Sequence, residues 1–267
     1  MIQWKNKTIR AGLIITGLML LMILIGQIWT PFDPTAMNGA EKMAGPSLRH
    51  LFGTDNFGRD IFSRVVEGTG ATFLIAAASV AIGLAVGLVV GGLTGWYGGW
   101  VDEVLMRLND SITAFPSILL ALVLIAVLGG GKYNIIAVLG IIFIPTFARI
   151  TRMEVARQKS LDYVQSARLM CVSEMRILFV HIMPNTLPVL LSTVAISFNN
   201  AVLAEASMSY LGIGVQPPDP SLGRMLNEAQ SYLLSAPWYA LSAGIAIILL
   251  VLGFGLLSDG LGGGQNG

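Results

Sequence analysis

Charge is what this sequence has least of. Only 12% of its 267 residues are Asp, Glu, Lys or Arg, against roughly 25% in ordinary soluble domains. Meanwhile 54% are hydrophobic and the mean hydropathy is +0.73, too little polar material to cover a water-soluble fold. The single cysteine, Cys171, excludes an internal disulfide framework and any cysteine-cluster metal site. The two histidines, His50 and His181, fall on opposite sides of the expected membrane and so cannot share a metal. A net charge of +1 leaves no electrostatic footprint for nucleic acid. Also missing are the phosphate-loop pattern G-x-x-x-x-G-K-[ST], H-E-x-x-H and G-x-S-x-G. No catalytic constellation emerges, and without a phosphate loop uphill transport must draw its energy from a partner. The apolar stretches lack both the Asp/Glu/His/Arg relay of proton-coupled pumps and the paired interrupted half-spans of many secondary carriers.

What is present is a series of six apolar stretches, each read as a helix crossing about 30 Å of hydrocarbon. They run Ala11–Trp29, Thr69–Trp96, Ile112–Leu128, Asn134–Ala148, Pro188–Tyr210 and Trp238–Ser258. The expected fold is therefore an all-α, polytopic membrane protein. The first stretch is not a signal peptide, because Thr30-Pro31-Phe32-Asp33-Pro34 offers no small-x-small cleavage site. With the N-terminus inside, Lys5, Lys7, Arg10, Arg107, Arg149, Arg152, Arg157, Lys159, Arg168 and Arg176 collect on one side. Lys42, Arg49, Arg59, Arg64, Lys132 and Arg224 collect on the other. That ten-to-six bias places both termini in the cytoplasm. Trp29, Trp96, Trp100, Tyr133 and Trp238 lie near span ends, as interfacial rings do. The expected organisation is a cytoplasmic N-terminus (1–10), a first span (11–29), an external segment (30–68), a core of five spans (69–258) and a flexible tail (259–267).

Within this frame a few polar features stand out. The longest basic break between spans, residues 149–187, reads as two short amphipathic helices with a turn near Cys171-Val172. A membrane protein has little reason to hold a structured basic helix pair on one side unless something docks there. Gly83, Gly87, Gly91 and Gly95 recur every four residues and make a bare stripe for a close helix–helix seam, static packing being favoured over a moving one. Asn199, Asn200 and Glu205 on the fifth span, with Ser111 and Ser117 near the third, are the candidates for a wet translocation face. Glu205 reads equally well as a residue near the outer surface, and Asn199 and Asn200 as helix-to-helix hydrogen bonders. Asp60 to Glu67 reads as a short interfacial helix, with Ile61, Phe62, Val65 and Val66 on its apolar face and Asp60, Arg64 and Glu67 opposite.

Longer motifs carry a resemblance that spans nearly the whole chain. WTPFDPT (Trp29 to Thr35), HLFGTDNFGRDIFSRVVEGT (His50 to Thr69), WYGGWVDEVLMRLNDSITAFPSILLAL (Trp96 to Leu122) and AEASMSYLGIGVQPPDPSLGRMLNEAQSYL (Ala204 to Leu233) occur in that order. So ordered, the chain resembles the permeases of binding-protein-dependent ABC importers of the peptide and nickel class, specifically the shorter second permease. That resemblance implies half of a heterodimeric pore in a prokaryotic inner membrane, beside a homologous permease, over two ATP-binding subunits and beneath an external substrate-binding protein. ATP and Mg would bind in those ATPases, with no cofactor or metal held by this chain. Cargo would be di- or oligopeptides, or nickel as a chelate; an ion-gradient-driven carrier is the alternative mechanism. The loop that grips the ATPase corresponds to Tyr163 to Asn185. Its coupling residues would be Gln165, Ala167, Arg168, Leu169, Cys171, Ser173, Glu174, Met175 and Arg176, with Met175 or Leu169 as apolar anchor and Arg168 or Arg176 as charge contacts. Where such permeases carry Glu-Ala-Ala this chain has Gln165-Ser166-Ala167, and where a glycine turns the chain it has Cys171.

Overall fold

A computed structural model describes residues 7–262. Among these residues the fold is helical: α1 (Lys7–Ile28), α2 (Ile61–Tyr97), α3 (Gly99–Thr113), α4 (Ser117–Leu128), α5 (Lys132–Gln158), α6 (Asp162–Leu169), α7 (Glu174–Arg176), α8 (Met183–Tyr210), α9 (Leu222–Ala229) and α10 (Pro237–Gly262). Five helices are long and apolar enough to cross a membrane, and a sixth crossing exists if α3 and α4 count as one span bent by 86°. The expected third span, Ile112–Leu128, is thus not one straight helix. Pro116 lacks the amide to continue α3, and the 12 residues of α4 reach only about 18 Å at 1.5 Å per residue.

Two further boundaries differ from expectation. Asp60 to Glu67 does not form a separate interfacial helix; these residues are the N-cap and first turns of α2, which runs for 37 residues. Asp60 caps it by accepting from the Ser63 amide (2.8 Å) and Ser63 hydroxyl (2.7 Å), and no proline interrupts the helix before Gly98 ends it at φ 65°. At the other end, the expected tail from 259 begins in helix, since α10 continues to Gly262; the rest of that tail, 263–267, and residues 1–6 lie outside the described residues.

The glycine stripe seats α5 against α2. A Cβ on Gly87 would stand 2.5 Å from Phe147 Cβ, and one on Gly91 2.3 Å from the Ala148 carbonyl oxygen. Cβ atoms on Gly83 and Gly95 would come within 2.6 Å of Phe143 Cβ and 2.7 Å of the Arg152 oxygen. Only a bare helix face permits that approach. Around this pair α8 and α10 complete the main core, with Ile75, Val80, Phe147, Leu190, Phe198 and Leu250 buried among them. α1 lies along α10 at the edge of the bundle.

Candidate functional site

Between α3–α4, α5 and α8 lies an open cleft of about 510 Å³, walled by Phe115, Leu139, Phe143 and Leu203 and dotted with Ser117, Thr146, Asn200 and Ser207. Of the residues expected on a wet face, Ser117 and Asn200 line it. Ser111 instead donates to the Arg107 carbonyl within its own helix (2.9 Å). Asn199 points towards α10, where its amide nitrogen would meet a Cβ on Gly255 at 3.4 Å. Glu205 is wholly buried away from the cleft, accepting from the Thr72 hydroxyl on α2 (2.8 Å) and the Ser209 hydroxyl (2.7 Å). Helical spacing explains the division, because Asn199 and Asn200 point about 100° apart around α8.

At the other end of the bundle α6 and α7 form a platform with its own small core of Trp96, Val155, Val164, Ala167, Ile177, Leu178 and Ile182. The basic break is shorter than its sequence suggested, because α5 continues through Gln158 and takes the first ten residues of it. Arg149 and Arg152 serve that extension. Arg152 grips Asp102 with two hydrogen bonds of 2.5 Å, and Arg149 reaches Asp110 at 2.7 Å, tying α3 to α5. Trp96 is buried (3% exposed) rather than interfacial. Arg168 and Lys159 stack over its ring at 5.1 and 5.4 Å, and the Lys159 ammonium donates to its carbonyl. Arg168 also pairs with Glu174 at 3.4 Å, which ties the two short helices to each other.

The turn between the two short helices is a Schellman motif. The Val172 amide donates to the Ala167 carbonyl and the Cys171 amide to that of Arg168. Cys171 occupies its left-handed position at φ 56°, where glycine has no penalty. The tight turn leaves Leu169 and Met170 projecting, 86% and 75% exposed. Gln165, Ser173, Met175 and Arg176 are each exposed, while Ala167 faces inward. From Arg176 the chain passes through a π-helical segment, Ile177–Ile182, directly into α8.

The opposite, N-terminal end of α2 carries a buried ionic cluster. Arg64, expected on a polar face, is 1% exposed. Its guanidinium donates to Glu228 on α9 at 3.0 Å, beside Arg59 at 2.8 Å and the Tyr239 hydroxyl at 2.7 Å. Arg59 also pairs with Asp55 at 2.6 Å. Burial alone would raise the Glu228 carboxyl; Arg64, the Tyr239 hydroxyl, Arg59 and Arg224 outweigh it and hold the group below the ordinary glutamate range. His50 lies buried nearby, with Nδ1 2.8 Å from Asp60 and its ring 4.6 Å from that of Phe32. These contacts pin the segment from Pro31 to Asp60 across the end of the bundle. Sequence reasoning missed the cluster because Glu228 is 164 residues from Arg64; the one available signal was the density of charge in Asp55 to Glu67 within so apolar a chain.

Comparison with known proteins follows the same outline. Residues 83–263 match the family described as "Binding-protein-dependent transport system inner membrane component". The chain is 36% identical over 257 residues to the dipeptide transport system permease protein DppC of Alkalihalophilus pseudofirmus, covering 96% of this chain and 84% of that one. It is 43% identical over 263 residues to the glutathione transport system permease protein GsiD of Salmonella typhimurium, covering 97% and 87%. In fold it is similar to a chain of the inward-facing MetNI methionine ABC transporter, with a TM-score of 0.61 at 19% identity, over 73% of this chain and 93% of that chain. Matched over most of its length in sequence and fold, the chain belongs to the inner membrane components of binding-protein-dependent transport systems, the permease subunits of ABC importers.

Proposed function

We propose that this permease forms half of the translocation pathway of an ATP-driven importer of short peptides. It pairs with a homologous permease, stands on two ATPases that bind ATP and Mg, and receives cargo from an external binding protein. The observation that carries the coupling is the α6–α7 platform. A pair of short helices with a core of its own offers Leu169 and Met170 to solvent, and Met175 and Arg176 are exposed as well. Apolar side chains held that far out of a small core are suited to a groove on another protein, where desolvated anchors dominate binding. Gln165 and Ser173 lie at the rim of the same contact, and Arg168 and Cys171 fix its shape. Leu169→Asp in the complete importer is expected to abolish binding-protein-stimulated ATP hydrolysis while the permease still inserts. Full stimulation in that variant would place the dock elsewhere.

The cargo follows from two lines of support. The relatives named above carry dipeptides or glutathione, both short peptides, and the cleft's volume lies in the range of small-molecule sites. Its walls offer a few hydroxyls and one amide rather than a ligand set, and no group of metal-holding side chains occurs among the described residues. Peptide cargo is therefore favoured over nickel. With the bent α3–α4 pair taken as the third crossing, the ten-to-six bias sets both termini and the platform in the cytoplasm and the ionic cluster outside. Mass spectrometry of the cargo retained by the cognate binding protein tests the substrate class: peptides are expected, and a nickel chelate or a sugar there would displace the assignment.

A further inference from the structure

We propose that Glu205 is a positioning residue that latches the outer loop between α8 and α9, residues 211–221, and the first residue of α9 to α8, so that α8 transmits movement between that loop and the cytoplasmic platform. The inference rests on the docking role proposed above for that platform.

The carboxylate is fully buried in a membrane-crossing helix, a costly place that calls for a reason. Its partners are hydroxyls, and each passes the contact on. Ser209 Oγ donates to one carboxylate oxygen (2.7 Å) and accepts from the Val215 amide (3.0 Å). Thr72 Oγ1 donates to the other (2.8 Å) and accepts from the Leu222 amide (3.3 Å). Ser221, next to Leu222, is fully buried and caps α9 by accepting from the Arg224 amide (3.2 Å). Two arms thus leave one side chain and end on the backbone near either end of the loop. Both hydroxyls donate inward to the carboxyl oxygens, and a lone pair of each takes a loop amide. Glutamine keeps one acceptor oxygen and turns its NH₂ to the other hydroxyl, so one of the two O–H···O contacts is retained.

The loop is seated tightly as well as hydrogen-bonded. A Cβ on Gly214 would lie 2.1 Å from Ser209 Oγ, and one on Gly223, in the first turn of α9, 2.3 Å from the Ala206 oxygen. From Glu174 to Tyr210 the chain is one helical run of 37 residues, about 55 Å long at 1.5 Å per residue. Its first end is held in the platform core by Ile177, Leu178 and Ile182; its far end carries the latch. The run is continuous through the π-helical segment and past Pro188, so it joins the latched loop to the platform without a break in the helix.

The test uses the complete importer with its binding protein. Ser209→Ala should speed hydrogen exchange at Val215, Thr72→Val at Leu222, and Glu205→Ala at both. Glu205→Ala should also lower binding-protein-stimulated ATP hydrolysis by about 5- to 150-fold, the usual size of a coupling between sites, and leave the basal rate intact. Glu205→Gln should fall between. Adding Thr72→Val and Ser209→Ala to Glu205→Ala should change little more. Wild-type exchange at Val215 and Leu222 in Glu205→Ala overturns the latch, as does an equal fall in basal and stimulated rates. If Glu205→Ala fails to assemble, Ser209→Ala and Thr72→Val decide, since each removes only one hydroxyl from the relay. Lost stimulation in Glu205→Ala with full stimulation in Leu169→Asp would sink the docking role and keep the latch; the reverse would sink the latch alone.

Discussion

Replacing Glu228 by Gln is the sharpest perturbation of the external end. The substitution keeps the volume and removes one negative charge that Arg59, Arg64 and Arg224 all approach within 3.1 Å. Asp55 would then face two guanidiniums alone, Arg59 at 2.6 Å and Arg64 at 3.6 Å, with both arginines still buried. Breaking a buried pair on one side costs about 3–5 kcal/mol because a charge is left uncompensated. A second change, Arg64→Met, removes the surplus cation and restores one carboxylate to one buried arginine. The double variant should therefore be more stable than Glu228→Gln alone, with a coupling of about 1–3 kcal/mol between the two sites. Unfolding in mixed micelles gives the four free energies, and hydrogen exchange over residues 31–60 locates the loss. Strictly additive costs, or a Glu228→Gln penalty under about 1 kcal/mol, would refute the idea that these charges are electrostatically bound to one another.

Other consequences are equally open to measurement. Gly91→Ala drives a methyl to 2.3 Å from the Ala148 oxygen, so it should cost about 1–3 kcal/mol by overpacking. Gly244→Ala, with nothing within 4 Å of its Cβ, should gain up to about 1 kcal/mol; equal melting shifts for the two would contradict the seam. The depressed Glu228 carboxyl contributes stability that is complete above its ordinary value of 4.5 and is lost as pH falls through its lower folded value. Proteolysis of residues 31–60 should accordingly rise on acidification and not on mild alkalisation, and Glu228→Gln should flatten that response. Cys171→Gly relieves a left-handed side chain at φ 56°; the relief of about 1–2 kcal/mol exceeds glycine's entropy cost of roughly 0.5–1 kcal/mol. Its melting temperature should rise slightly, and a fall would deny strain at that turn.

The features legible in sequence were those that repeat or lie close together. Apolar runs gave the spans, and a four-residue period gave the Gly83–Gly95 stripe that meets α5. A glycine-like turn at Cys171 was legible because a Schellman motif is built from neighbours. Illegible were contacts whose partners lie far apart in the chain. Nothing local says that Arg64 turns inward, since its polarity argues for water and only Glu228 and Asp55 make burial tolerable. Trp96 read as an interfacial ring because its cover, Lys159 and Arg168, comes from another helix and its connection. Asn199 and Glu205 were grouped with Asn200 by polarity, although helical geometry aims the three differently. A break at Pro116 was visible as a residue, but the 86° bend depends on where α5 holds the two pieces.

The central claim is that this permease passes short peptides using energy delivered through the α6–α7 platform. It is tested most directly by uptake of a labelled dipeptide into proteoliposomes holding the complete importer, its binding protein and enclosed ATP. Accumulation is expected with ATP, absent with an imposed ion gradient alone, and abolished by Leu169→Asp. Gradient-driven accumulation without ATP, or undiminished uptake in Leu169→Asp, would contradict it.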